Sequence, residues 1–411
     1  MNILILSEAF PPETKSASTL FFELAESLVQ RGHQVSVITR MPRYNVAAGT
    51  DLKSLPAREN ISGIDVYRFS TPPLARNIPI IRGFEHFLLG IIFFFGGLRI
   101  NKFDVILVYS PPLPLGISGY WLGKIRKKPV LVNIQDLYPQ TVIDLGLLKN
   151  RLLIKVSRMM ESFIYRKSNF LTVHSDGNKE YVVNHGANRE TTAVLHNWVD
   201  TDLIKPGNKA NDFSQKYGLK DKFIVSFAGV MGFAQGLDVV ISAANILRDK
   251  SDIQFVLVGD GIKKQELEHQ AKSLGLKNVL FVDTQPRSVY PQILHASDIC
   301  LVTLRKDLAT PVVPGKLLSI MAAGRPVITS LPLEGDTPKI IKDFNCGICV
   351  EPDNPQDLAK AIIKLYNDRS LCEEMGKNGR KGAEQAFSRN VSVSKYEEIM
   401  NSLTGRSQHG S

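Results

Sequence analysis

Thr310–Ser330 reads TPVVPGKLLSIMAAGRPVITS. Prolines and a glycine open the stretch, where a strand can end and a helix cannot yet begin. From Lys316 to Ala323 the residues suit a helix, with Leu317, Leu318, Ile320 and Met321 as its apolar face. Gly324 stops that helix, and PVITS reads as a short buried strand. A helix N-terminus concentrates unpaired N–H groups and partial positive charge, which suits a phosphate, and Lys316 adds a full charge in the first turn. An ordinary loop–helix–strand unit with a solvated lysine accounts for the same pattern.

The same order recurs in both directions. NILILSEAFPPE is a strand and a proline-rich loop, TLFFELAESLVQRGH a helix ending at Gly32, and QVSVITR a second strand. KFIVSFAGVMGFAQGLDVVISAANIL gives a strand, a loop with Gly229, Gly232 and Gly236, and a helix. DIQFVLVGDGIKKQEL repeats it with Gly259, Asp260 and Gly261 at the turn. This repetition predicts an α/β protein with doubly wound parallel sheets, whose ligands bind beyond the carboxyl ends of the strands. Glycines let the backbone approach a diphosphate closely. Their spacing matches neither G-x-G-x-x-G nor a Walker motif, which argues against dehydrogenases and P-loop enzymes.

With 411 residues the chain has room for two domains, and 44% apolar with 22% charged residues is a folded composition. Residues 1–200 hold 23 Lys and Arg against 16 Asp and Glu, and the remainder 27 against 24. A basic first half suits an anionic membrane surface, a phosphorylated acceptor or nucleic acid, and with no nucleic-acid-binding signature the last is set aside. Met1 leads directly into a strand without a basic n-region, and four cysteines are too few for a disulfide scaffold. A cytoplasmic location is expected. The C-x-x-C of Cys346 and Cys349 reads as a turn entering a strand, with no plausible zinc partners nearby.

Residues 79–103 form the most apolar stretch, but the uncharged core FLLGIIFFFGGL is too short to span a bilayer. It reads either as a buried core helix or, preferably, as an interfacial segment that touches a membrane through Arg82, Phe87, Phe93, Phe94 and Phe95. Residues 151–168 read as an amphipathic basic helix extending that surface. At the expected ligand edge stand Glu13, Lys15 and Ser16 after the first strand and Arg40, Arg43 and Tyr44 after the second, which either meet an acceptor or line a solvated loop. Asp136, after VLVNI, either accepts a proton from an acceptor hydroxyl or caps a helix. His174 sits at another strand end.

Taken in order, RGHQVSVIT, QDLYP, AQGLD, GDG and VPGKLLS resemble the retaining GT-B glycosyltransferases of family GT4, in the bacterial subgroup of colanic-acid-type and N-acetylfucosamine-type transferases. The resemblance covers nearly the whole chain. It implies two Rossmann-like domains facing across a cleft, an acceptor domain over 1–200 and a nucleotide-sugar domain over 201–389, with a last helix near 390–403 packing back on the first. Donor contacts would come from Gly229, Gly232, Gln235, Gly236, Gly259, Gly261, Arg287 or Tyr290, Lys316, Leu317 and Ser319. Acceptor contacts would come from Glu13, Lys15, Ser16, Arg43, Tyr44 and His174, with Asp136 and Lys316 as catalytic residues. Most of the family carries two glutamates where this chain has Pro311 and Ser319, and an arginine and a lysine where it has Phe233 and Gln235, so Lys316 must carry more of the charge neutralisation.

Asp200 and Asp202 form a D-x-D that resembles the family's interdomain hinge, which implies no metal and no cofactor. The implied reaction moves a sugar such as N-acetyl-L-fucosamine from a UDP-sugar to a polyprenyl-diphosphate-linked saccharide in O-antigen or capsule assembly. It would run by front-face attack, on the inner face of the bacterial plasma membrane. A nucleotide-sugar epimerase and a non-catalytic nucleotide-sugar-binding partner are the alternatives.

Overall fold

The computed structural model describes every residue except 44, 45, 48, 73–78, 145, 307–312 and 407–411, and leaves out the side chains of 79–82. The chain divides into two compact units, Met1–Asn197 with Arg389–Ser411, and Trp198–Ser388. The expected contacts of Tyr44 and Arg82 and the place of Pro311 lie outside the described residues.

The first unit is built on β1 (Asn2–Leu6), β2 (Gln34–Arg40), β3 (Arg58–Ile61), β4 (Ile64–Phe69), β5 (Val105–Ser110), β6 (Val130–Ile134), β7 (Phe170–Val173) and β8 (Thr192–Val194). Their order in the sheet is β3-β4-β2-β1-β5-β6-β7-β8, and only β3 runs antiparallel to its neighbour. Strands covered on both faces are largely apolar, which is why β1, β5 and β6 are mostly hydrophobic, with Asn133 the polar break in β6. The helices are α1 (Ser16–Gln30), α2 (Pro79–Leu98), α3 (Leu113–Arg126), α4 (Gln140–Asp144), α5 (Arg151–Lys167) and α6 (Asp176–Asn184). The chain leaves β1 toward β2 through α1 and returns through α2 to β5 on the other side, so the strand order reverses between β1 and β5.

Small residues let the helices close on one another. Gly90 of α2 faces Pro114 and Ser118, whose Oγ donates to the Gly90 carbonyl at 2.7 Å, and Gly97 faces Leu122. Gly116 of α3 in turn receives Ile164 of α5. The phenylalanine-rich segment is therefore a helix with two characters. Phe93 is fully buried in the core, which corrects its expected membrane contact: it lies on the face that α2 turns to the sheet. Phe94 is half-buried, while Phe87 and Phe95 are exposed. Among the described residues no helix is long and apolar enough to cross a membrane.

The second unit carries a parallel sheet of order β11-β10-β9-β12-β13-β14, made of β9 (Phe223–Ala228), β10 (Ile253–Val258), β11 (Val279–Val282), β12 (Ile299–Thr303), β13 (Val327–Ser330) and β14 (Gly347–Val350). Around it lie α7 (Asp212–Lys216), α8 (Asp238–Ile246), α9 (Lys264–Ser273), α10 (Tyr290–Ala296), α11 (Gly315–Ala322), α12 (Asp336–Phe344), α13 (Pro355–Asn367) and α14 (Arg369–Ala386). The reversal here falls between β9 and β12. Gly324 stops α11 in the left-handed region, at φ 67°, and β13 follows as a fully buried strand.

The last helix, α15 (Arg389–Leu403), belongs to the first unit and packs against α1. Tyr396 is buried there, and its hydroxyl accepts a 2.7 Å hydrogen bond from Asn133 Nδ2 of β6. Glu397 pairs with Arg31 at 2.8 Å and His33 at 2.7 Å, while Arg389 pairs with Glu26 at 2.7 Å.

Candidate active site

Two glycine loops lie one upon the other at the carboxyl edge of β9 and β10. Gly229 N donates to Val258 O at 2.8 Å, Met231 N to Asp260 O at 2.8 Å, and Lys263 N to Met231 O at 3.0 Å. A Cβ on Gly259 would overlap the carbonyl of Gly229, and one on Gly261 the carbonyl of Met231. Both glycines also hold positive φ, at 143° and 152°. Side chains are excluded here because two backbones already occupy their space.

The rest of the β9 loop is braced by a short turn over Phe233–Gln235. Gln235 Oε1 accepts from Gly232 N at 3.1 Å, so this side chain caps its own loop. Gly236, at φ 56°, lies beneath the Arg305 stem, and Arg305 N donates to Ala234 O at 3.0 Å. Arg305 was missed from the sequence because nothing in the local pattern after β12 points back to a loop some seventy residues earlier.

Lys316 enters this arrangement from the first turn of α11, which no side chain caps. A Cβ on Gly229 would overlap Lys316 Cε and stand 2.5 Å from Nζ. The ammonium lies 3.7 Å from the centre of the Phe227 ring. Burial lowers its pKa to about 8. Among the described residues it has no acidic partner. A cation so placed, beside backbone loops with no room for side chains, is arranged to receive an anion.

Ser319 lies one turn along α11, near the partly buried Tyr290, whose hydroxyl has its pKa raised by burial. Leu317 is completely buried in the core of the second unit, so only its backbone is left to meet a donor. Arg287 is exposed and opens a short turn before α10.

In the first unit the corresponding edge is strongly charged. Arg40 is buried among Glu8 at 3.2 Å, Glu13 at 3.4 Å and Glu85 at 3.7 Å. Arg43 reaches the same Glu85 at 3.0 Å and also bonds Thr71, while Lys15 reaches Glu13 at 3.3 Å. Glu13 is therefore an interior ion-pair member, whereas Ser16 is exposed. Sequence reading put Glu13, Lys15 and Arg43 at one edge but had no signal for Glu85, which arrives from the middle of α2.

Further along that edge, Asn133 also donates to Thr172 at 3.1 Å, and Gln135 donates to Asn133 Oδ1 at 2.9 Å. Gln135 and Asn197 exchange two 2.9 Å amide hydrogen bonds. Asp136 follows on an exposed turn, yet partial desolvation lifts its carboxyl above the usual carboxylate value. That is the direction a proton-accepting carboxylate requires. His174 is buried and bonds Asn178 through Nδ1 at 3.0 Å, so its ring orients a helix start.

Asp200 Oδ1 accepts from the amides of Asp202 and Leu203 at 3.0 and 2.9 Å, so it caps a turn. Among the described residues no three His, Cys, Asp or Glu side chains gather as a metal site needs. Cys346 and Cys349 are free thiols, both pushed up by burial, Cys346 to about 12.

Two family models match the chain, a glycosyl transferase 4-like domain over residues 17–198 and glycosyl transferases group 1 over 209–382. The Escherichia coli (strain K12) protein WcaI, named for colanic acid biosynthesis glycosyl transfer, is 26% identical over 373 residues, spanning 88% of this chain and 91% of its own. Among solved structures, Anabaena HepE in complex with UDP superposes with a TM-score of 0.74 at 19% identity, covering 98% of this chain and all of that one. Sucrose-phosphate synthase from Thermosynechococcus elongatus gives a TM-score of 0.75 at 18% identity, covering 99% of this chain and all of that one.

Proposed function

The chain belongs to the GT4-type glycosyltransferases of GT-B fold, and from that premise we propose that it transfers a sugar from a UDP-sugar, with retention, to a lipid-linked saccharide in bacterial surface polysaccharide assembly. One observation carries the donor half of this reading: the Lys316 cation, without an acidic partner among the described residues, is laid over Gly229 beside two interlocked glycine loops. A nucleotide diphosphate is an anion that such a cation suits, and the negative charge growing on it as the sugar departs is the quantity to be stabilised. The UDP held by HepE and the polysaccharide role in WcaI's name support the choice of nucleotide and of product class.

Asp136, with its raised carboxyl, is the residue in the first unit placed to take the acceptor hydroxyl's proton. The sugar we favour is an N-acetylated deoxyhexosamine such as N-acetyl-L-fucosamine. The acceptor is a polyprenyl-diphosphate saccharide met at the inner face of the plasma membrane, where the exposed Phe87 and Phe95 of α2 support contact with lipid.

A panel of nucleotide sugars, read by thermal stabilisation and then by transfer to a lipid-linked acceptor, tests this. Selective stabilisation by one UDP-sugar followed by turnover is expected. Conversion of the donor alone into an epimer would replace the reading with an isomerase. Selective binding without turnover on any lipid acceptor would make the chain a sensor.

A further inference from the structure

We propose that the outer faces of α2, α3 and α5 form one continuous docking surface for an anionic lipid leaflet, with α3 its centre. The proposal rests on the membrane reading above and enlarges it beyond the phenylalanine helix. α3 packs between α2 and α5, so the solvent sides of the three helices adjoin.

The apolar side chains on that face keep helical spacing. α2 exposes Phe84, Phe87, Ile91 and Phe95, at intervals of three and four residues. α3 exposes Trp121 and Ile125, and α5 exposes Leu152, Val156 and Met159. Large apolar residues scattered singly over a surface need no explanation, but three adjoining helices that share one apolar face do.

Charge decides what covers them. The three helices contain two acidic residues in all, Glu85 and Glu161. Both turn inward, at 2% and 1% exposure, held by Arg43 and Arg158 respectively. α3 has no acid at all. Several basic residues stand outside: Lys124 lies 5.3 Å over the Trp121 ring, Lys155 stands between Leu152 and Val156, and Arg166 and Lys167 close α5. An apolar face rimmed by cations, with every helix carboxylate withdrawn, complements acyl chains beneath anionic headgroups. A second copy of the same face would bring like charges together.

The test uses the full chain and vesicles of phosphatidylcholine with and without phosphatidylglycerol. Co-sedimentation with the anionic vesicles alone, weakening as salt is raised, is expected. Brominated phosphatidylglycerol should quench Trp121 fluorescence, and Trp121→Phe should abolish that quenching, since the remaining tryptophan, Trp198, is buried. Lys124→Gln with Lys155→Gln should lower vesicle affinity about tenfold or more, with melting unchanged because both side chains are exposed. Equal binding to neutral vesicles, unquenched Trp121, or a stable dimer that ignores vesicles would each overturn the proposal. Transfer to a detergent-soluble acceptor is read separately. Its loss with vesicle binding intact would strike the enzymatic reading alone, whereas lost vesicle binding with that activity kept would strike the docking surface alone.

Discussion

Lys316 Nζ stands 3.7 Å above the Phe227 ring, its stem resting on the bare backbone of Gly229. The lysine is held by a ring below and by the absence of a side chain beside it. Neither contact is an ion pair.

Gly229→Ala should therefore act through Lys316. The new methyl would overlap Lys316 Cε, and alanine is strained at φ 147°. Transfer, read as kcat/KM for the donor, should fall about tenfold to a hundredfold. Unchanged kinetics in a folded variant would mean that the lysine does not work from this position.

Lys316 should also cost the resting protein stability. Burial lowers its pKa to about 8, so the folded state disfavours the ammonium. That cost is fully present below pH ~8 and fades as pH rises toward the unfolded lysine value of about 10.4. Lys316→Met keeps the contact with the Phe227 ring and removes the charge. At pH 7 it should melt a few degrees higher, on the order of 1–3 kcal/mol after screening, with the gap narrowing by pH 10. Transfer should drop at least a hundredfold, by analogy with other lost electrostatic stabilisers. A variant that melts lower than the parent at pH 7 contradicts the burial argument.

The wild-type pH profile follows from the same sign. An anionic donor favours the charged lysine, so donor affinity should weaken above pH ~8 and protons should be taken up on binding in that range. Calorimetry in buffers of different ionisation enthalpy measures the uptake, and none at pH 8.5 would count against Lys316 as the anion's partner.

Ser319 and the Tyr290 hydroxyl, which stand close together, should show coupling in a double-mutant cycle. Ser319→Ala removes a polar neighbour of the phenol and should cost ~0.5–1 kcal/mol, but much less when Tyr290→Phe is already present. Additive losses in urea denaturation would show that the two do not interact.

Arg40 should be among the most sensitive positions of the first unit. It stands among Glu8, Glu13 and Glu85, and Arg40→Met leaves the last two buried beside each other. A loss of ~3–5 kcal/mol is expected, enough to reduce soluble yield. Melting within a degree of the parent would sink this account.

Much of the architecture was legible before any contact was known. The runs NILIL, FIVSFA and PVITS announce strands, and the Gly32 and Gly324 stops announce helix ends, because strand and helix periods are properties of neighbouring residues. The glycine loops and Lys316 were legible for the same reason, as local spacing. Other features were not. Phe93 looks like Phe94 and Phe95 in the sequence, and only the packing of α2 on the sheet turns it inward. Glu85 reaches Arg43 across 42 positions, and Asn133 reaches Tyr396 across 263.

Sequence alone thus determined which segments are strands and helices and where the glycine-rich loops and Lys316 would fall. Tertiary structure alone decided which carboxylates are withdrawn, which glycine faces which loop and which phenylalanines meet solvent. The physical reason is that local periodicity is set by backbone geometry over a few residues. The partner of a buried charge is set by strand order and crossover, which bring distant residues together and leave no trace in the spacing of either.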